Sequence, residues 1–389
     1  MKTAENNSKL PDDFKSFKTE IKVASPGRIN LIGEHTDYNN GFVMPAAIDK
    51  KINFRFRKNN TKNLVRIYSE TFDAYVEFNL QKITKNINSW ENYLLGVIDE
   101  IQKLGKQLQG FDCILKSELP IGAGISSSAA LECGFAKGLN SLFNLDLAQM
   151  EIVKLSQRAE NNFVGSNCGI MDQFASVMSK KDHFIKLDCE SLEATFITAK
   201  IEHCKLLLLN TNVAHNLANS EYNSRRQECE TAVAVIQQKY SAVKSLRQVS
   251  FNMLEEFKEE IGAISFKRCL YVLEENERVQ ETEKALRDGN LQTIGKLMYA
   301  SHRGLQHQYE VSCPELDFLV DFSEEKTFIY GSRMMGGGFG GCTINLIEAD
   351  KIDAYFEEVK KVYQEKFDIT PTAITVVPDE GTQILDNRK

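Results

Sequence analysis

Strand and helix signals that alternate along 389 residues predict a mixed α+β fold in two domains. Three observations support it: the length, the mixture of two-residue and 3.6-residue apolar periods, and a change of texture near residue 200. At 42% hydrophobic and 26% charged, the chain is globular and long enough to divide its core between two domains. β-branched or alternating runs at residues 21–24, 52–57, 64–68, 75–78 and 111–115 read as strands. Between the last two, Trp90, Leu94, Val97, Ile98, Ile101 and Leu104 recur at helical spacing. A second helix follows Asp146, a suitable N-cap, with Ile152, Leu155 and Ala159 on its apolar face.

Past residue 200 the reading changes to a strand at 205–209, a polar helix over 220–239, and charge-laden helical segments up to residue 300. A strand at 328–330, a glycine-rich run at 336–341 and a strand at 343–347 come next. A last amphipathic helix carries Ile352, Tyr355, Phe356, Val359 and Val362. The expected domains are 1–198 and 199–389, although no Pro/Gly/Ser linker marks the join. No internal repeat or low-complexity block suggests a solenoid or a disordered tail.

The net charge of -7 and a pI near 5.6 argue against a general affinity for nucleic acid or anionic membrane. Any phosphate site must therefore be built locally. Residues 1–7 lack the apolar core of a signal peptide, and the longest aliphatic run, residues 206–209, is far too short to cross a bilayer. Nine cysteines without a Cys-x-x-Cys pair fit reduced thiols, which together with the missing leader predicts a cytoplasmic protein. Cys168 and Cys342 read as small buried residues.

Two stretches carry chemistry. Gly122, Ala123, Gly124, Ile125, Ser126, Ser127 and Ser128 form a glycine-rich turn that feeds serines into an apolar helical pattern. Glycines let the backbone approach an oxyanion, serines can cap the helix, and the free N–H groups of its first turn attract negative charge. A tight turn before a helix has the same letters, and the Lys-Ser/Thr ending of the commoner phosphate loop is missing. The second stretch, residues 27–41, packs Arg28, Glu34, His35, Thr36 and Asp37 ahead of an Asn39-Asn40-Gly41 turn. So many donors and acceptors suit a carbohydrate; a solvated loop and a metal site are the alternatives. Gly336-x-Gly338-x-x-Gly341 matches the letters of a dinucleotide fingerprint, but a strand pattern follows it, so NAD binding is not expected.

Taken together, residues 27–41, 119–130 and 336–342 make the chain similar to the galactokinases of the GHMP small-molecule kinase family. The first of these motifs is the one specific to galactokinases; the other two mark only the wider family. Ile29, Met44 and Ile125 stand where related chains often carry Val or Leu, and they preserve size and polarity. The resemblance implies a ribosomal-S5-like N-terminal domain and a ferredoxin-like C-terminal domain with the active site between them, and packing of the 336–341 run beside that site. It implies transfer of a phosphoryl group from ATP to the anomeric hydroxyl of galactose, the entry step of the Leloir pathway, in a monomer without nucleic-acid or membrane partners. Asp172 would be the base and Arg28 its partner, with Glu34, His35, Thr36, Asp37, Gly169 and Tyr222 around the sugar. Residues Gly122 to Ser128 would hold ATP, and Ser128 with Glu160 would hold Mg²⁺. An adjacent arginine stabilises a carboxylate, which favours late proton transfer through a loose transition state. A kinase for a related sugar, such as N-acetylgalactosamine or arabinose, and a non-catalytic sensor of galactose and ATP remain as alternatives.

Overall fold

Phe54 and Phe56 alternate with polar residues in the strand Pro45–Lys58, the middle of a six-stranded sheet in a computed structural model of the chain. The structure describes residues 14, 17–86, 89–120, 122–201, 203–213 and 218–385. Pro45–Lys58 pairs antiparallel with Ile21–Asn30 on one side and with Phe111–Ser117 on the other. Leu64–Ser69 runs parallel to Phe111–Ser117, and Ala74–Asn79 closes that edge. At the opposite edge Gln383–Leu385 pairs with Ile21–Asn30, so the end of the described chain returns to the first sheet. This return is not visible in the local pattern of those three residues.

The helix that carries the phosphate-loop candidate, Ser127–Phe143, lies directly on this sheet. Gly134 and Gly138 share its inner face, and a Cβ at either would come within 2.3 Å of Phe54 or 2.1 Å of Phe56. Bare backbone therefore lets the helix approach the aromatic layer, and this approach sets where its N-terminus points. Helix Glu91–Lys103 buries Leu94, Val97, Ile98 and Ile101 as the periodicity predicts. Leu104, counted in the same stripe, sits just past the helix end and is 45% exposed. The next helix is Gln149–Arg158, capped from Ala148 and not from Asp146. Asp146 adopts a left-handed φ of 56°, and the Glu151 carboxylate accepts the Ala148 N–H at 2.7 Å in its place.

A second sheet of four antiparallel strands has the order Ile329–Met335, Cys342–Glu348, Cys204–Asn210, Thr372–Val376. Its interior strand Cys204–Asn210 is apolar on both faces. Leu206 and Leu208 join the core shared with the first sheet, while Leu207 and Leu209 pack with Leu319, Tyr355, Val359 and Tyr363 of the helices Pro314–Glu324 and Ile352–Phe367. Tyr363 takes the buried place that the sequence pattern gave to Val362. A small third sheet joins Phe42–Val43, His183–Asp188 and Ala194–Thr198. The helix Lys258–Asp288, interrupted at Gly262 (φ 77°), packs on it and on the loop between Ile21–Asn30 and Phe42–Val43. Among the described residues no helix is long and apolar enough to cross a membrane.

Candidate active site

The strand Ile21–Asn30 bulges between Pro26 and Arg28, and this irregularity brings Arg28 against both the glycine-rich loop and the helix Met171–Met178. The Arg28 backbone N–H donates to the Ile125 carbonyl at 3.0 Å, and Nη1 donates to the Gly124 carbonyl at 2.6 Å. The rest of the guanidinium grips Asp172 in the first turn of that helix: Nε to Oδ1 at 2.7 Å and Nη2 to Oδ2 at 2.9 Å. Ser126 donates its hydroxyl to the same Oδ2. Strand, loop and helix are thus tied together through one buried arginine.

This use of Ser126 departs from the capping role expected of it. Ser126 occupies the N-cap position of Ser127–Phe143, but with a left-handed φ of 56° and no side-chain cap bond. Its hydroxyl is on Asp172, so the first-turn N–H groups stay free for an anionic ligand. Three donors now occupy the Asp172 carboxylate, and an ionised carboxylate has about four lone-pair sites. One remains, on Oδ1, and the side chain is 25% exposed toward the cleft. The residue is therefore shaped to accept one further hydroxyl proton.

The polar loop after Asn30 is held by its own side chains and by the helix Lys258–Asp288. Glu275 accepts the Gly33 N–H at 2.8 Å, and Asn276 accepts the Phe42 N–H at 2.8 Å. Thr36, expected around the sugar, is fully buried beneath the loop; its hydroxyl spans the Gly33 and Phe42 carbonyls at 2.9 and 2.6 Å. The geometry makes Thr36 a clamp of the loop and keeps it away from the cleft. Glu34, His35 and Asp37 do face the cleft, together with Arg28, Asp172 and Tyr222. The cleft is open on one side and its space of about 170 Å³ is small beside drug-sized pockets of roughly 300–1,000 Å³.

Each carboxylate has its own environment. Glu34 accepts from Arg333 Nη2 at 3.0 Å and from the Gly336 N–H at 2.9 Å. Asp37 accepts the Tyr38 N–H at 2.9 Å, and its carboxyl is pushed up to about 7 by burial and then by the Asp172 charge. A Cβ on Gly169 would fall 2.0 Å from Asp37 Oδ2, so Gly169 serves by lacking a side chain. Glu160 lies where the helix Gln149–Arg158 loosens into a π-helical turn, Ala159–Val164. It is buried, not the solvated helix-end glutamate its position suggests. Gln173 donates to it at 2.6 Å, and burial followed by the Asp172 charge raises it to about 7, against the opposing pull of the Ser128 hydroxyl.

That environment decides whether a divalent cation fits. Among the described residues Glu160 has no cationic partner, and Glu132, whose carboxyl is pushed up by burial and by the Glu160 charge, leaves Oε1 without a hydrogen bond. Oxygen ligands with uncompensated negative charge suit Mg²⁺. The described residues hold no cluster of three or more His, Cys, Asp or Glu side chains able to bind an ion alone. Such an ion would thus take Ser128 and Glu160 and complete its shell with water and ligand phosphate.

The second glycine run turns between Ile329–Met335 and Cys342–Glu348, where Met335 opposes Cys342 in an antiparallel hairpin. A βαβ dinucleotide unit is therefore absent there, and the run packs on the phosphate-loop candidate: a Cβ on Gly336 would lie 3.2 Å from the Gly124 carbonyl. Tyr222 packs against His35 and Tyr38, each with ring centroids 5.3 Å apart. Of the nine free cysteines, Cys342 is buried as expected, whereas Cys168 is half-buried and lines the cleft. Arg333, Tyr38 and Tyr309 do not line the cleft but bond to residues that do, or to one another. Arg333 had a sequence signal, a lone charge in an otherwise buried strand next to a glycine run, and Tyr38 lies within the polar stretch 27–41; Tyr309 had none.

The chain matches the galactokinase galactose-binding signature over residues 13–58, the GHMP kinase N-terminal domain over 92–180 and the GHMP kinase C-terminal domain over 282–365. It is 43% identical to a galactokinase of Thermosipho africanus over 362 residues, 93% of this chain and 99% of the relative. Identity to a galactokinase of Clostridium acetobutylicum is 41% over 386 residues, 97% and 98% of the two chains. The crystal structure of Lactococcus lactis galactokinase complexed with galactose superimposes with a TM-score of 0.92 at 35% identity, covering 96% of this chain and 98% of that one.

Proposed function

The chain belongs to the galactokinase family of GHMP kinases, and from that premise we propose that its cleft phosphorylates galactose from ATP, giving α-D-galactose 1-phosphate and ADP. The observation that carries the reading is the Asp172 carboxylate. Arg28 and Ser126 hold it between the phosphate loop and the polar loop, with one acceptor site left open. A hydroxyl that donates to Oδ1 is oriented for attack on a phosphoryl group seated at residues Gly122 to Ser128. The transferred group in a loose transition state carries most of the charge, and the hydroxyl proton leaves late, so a carboxylate braced by an arginine suffices as acceptor. Arg28 then balances the charge that develops as the new P–O bond forms.

Glu34, His35, Asp37, Gly169 and Tyr222 form the sugar shell in this reading, with Thr36 holding their loop in shape. Mg²⁺ would be held by Ser128 and Glu160 and would neutralise the β- and γ-phosphates. A monomer is the proposed working unit. Nine unpaired cysteines support the cytoplasm as its compartment. We keep the domain join between residues 198 and 199; that the strands on either side, Ala194–Thr198 and Cys204–Asn210, belong to different sheets supports it.

The test is ADP release across a panel of sugars, with the phosphate position and anomer of the product read by phosphorus NMR. Galactose is expected to be the best acceptor; preference for N-acetylgalactosamine or arabinose would reassign the substrate. Binding of galactose and ATP without sugar phosphate would make the chain a sensor. Ser128→Ala and Glu160→Ala should each raise the Mg²⁺ concentration for half-maximal activity by about tenfold or more. An unchanged Mg²⁺ titration in both variants would reject the metal assignment.

A further inference from the structure

His35 is the end of a line of buried and part-buried hydrogen bonds that leads away from the cleft. Its Nδ1 lies 2.8 Å from Tyr38 Oη, which lies 2.8 Å from Tyr309 Oη, which in turn lies 3.4 Å from Cys229 Sγ. Tyr309 and Cys229 are fully buried and Tyr38 is half-buried, so solvent is kept from the far end of the line. The other ring nitrogen, Nε2, is buried with no hydrogen bond of 3.5 Å or less among the described residues, although the Gly337 backbone is close enough to favour a ring N–H, and the His35 ring lines the cleft. His35 also holds a left-handed φ of 61°, a costly conformation for a residue with a side chain. The ring is held in the cleft wall with one polar atom free of short hydrogen bonds.

Which nitrogen carries the proton follows from the line itself. Burial, with Arg225 and Arg333 nearby, pulls the ring pKa down to about 3, so His35 is neutral and has a single N–H. At the first link, either the Tyr38 hydroxyl donates to a bare Nδ1 or an Nδ1–H donates to the phenol oxygen. A neutral imidazole nitrogen is a strong acceptor, whereas a phenol oxygen, its lone pair shared with the ring, is a weak one. In the first sense Tyr38 donates to Nδ1 and accepts from Tyr309, which accepts from the Cys229 thiol. In the reverse sense the line ends with a phenol donating to sulfur, a weak acceptor.

We propose that Cys229, Tyr309 and Tyr38 form a directional relay that holds His35 as the Nε2–H tautomer, a fixed hydrogen-bond donor to a sugar oxygen. This rests on the reading that the cleft takes a sugar. The relay adds a donor of fixed sense to those of Arg28, Ser166 and Tyr222, which also line the cleft. Glu34, Asp37, Asp172 and Glu160, once ionised, only accept, while each sugar hydroxyl must both donate and accept. Tyr38 and Tyr309 are then positioning residues that decide which hydroxyl pattern the cleft tolerates.

Long-range proton–nitrogen correlation on histidine-labelled protein, without sugar, reads the tautomer directly. His35→Gln identifies the His35 signals among the six histidines. Wild-type protein is expected to show a protonated Nε2 and a bare Nδ1, and galactose should shift the Nε2 signal. Tyr38→Phe should give a mixture of tautomers and raise KM for galactose about tenfold, the loss of one hydrogen bond, with kcat nearly unchanged. Tyr309→Phe should move both readouts less and in the same direction. A protonated Nδ1 in wild-type protein, or a Tyr38→Phe variant that keeps the wild-type tautomer, would overturn the relay. An Nε2 signal that galactose leaves unmoved would overturn the donor role. Failure to phosphorylate any sugar, with the tautomer and the galactose shift as expected, would count against the kinase reading alone.

Discussion

Asp172→Asn is expected to lower turnover by about 100-fold or more while leaving galactose affinity within about threefold of wild type. The asparagine keeps the size of the side chain and one oxygen for Arg28 or Ser126, so the loop and helix stay tied. It loses the acceptor that the structure leaves open on Oδ1. The sugar still meets Glu34, Asp37 and Tyr222, which is why binding survives while the proton has nowhere to go. Single-turnover measurements at saturating ATP and galactose, beside a sugar titration by calorimetry, separate the two quantities. Turnover near wild type would remove Asp172 from the mechanism and leave Arg28 with only a structural role.

The same residue shows which parts of the site are legible in a sequence. Asp172 lies 46 positions from Ser126 and 144 from Arg28, and local patterning contains no hint that they meet. The resemblance supplied its role; the structure supplies the three donors that make the role physically reasonable. Elements with strong periods, such as Glu91–Lys103 and residues 52–57 of Pro45–Lys58, were readable because their apolar residues recur on one face. Phe42–Val43 and Gln383–Leu385 were not, since two- and three-residue strands exist only through partners elsewhere in the chain. Thr36 fell on the wrong side of the same divide. Its neighbours Glu34, His35 and Asp37 reach the cleft, but a compact turn must spend one side chain on its own carbonyls, and alternation within a loop does not say which.

Arg333 carries the largest expected effect on stability. It is fully buried in the strand Ile329–Met335, yet it serves the loop that follows Ile21–Asn30 in the other sheet. Nε donates to the Leu31 carbonyl at 2.8 Å, Nη1 to the Met334 carbonyl at 2.6 Å, and Nη2 to both the Asn30 carbonyl and the Glu34 carboxylate. Arg333→Met keeps most of the apolar volume and removes all four bonds. A buried carboxylate then stays without its countercharge, and breaking such a pair costs about 3–5 kcal/mol. Urea unfolding should show that loss as a lower midpoint at unchanged slope. Adding Glu34→Gln should restore part of the stability, because the stranded charge disappears. It should not restore galactose affinity, because the cleft then lacks both the carboxylate and the guanidinium that aims it. If Arg333→Met cost less than about 1 kcal/mol, the Gly336 N–H would be enough to hold Glu34, and the link between the two sheets would lie elsewhere.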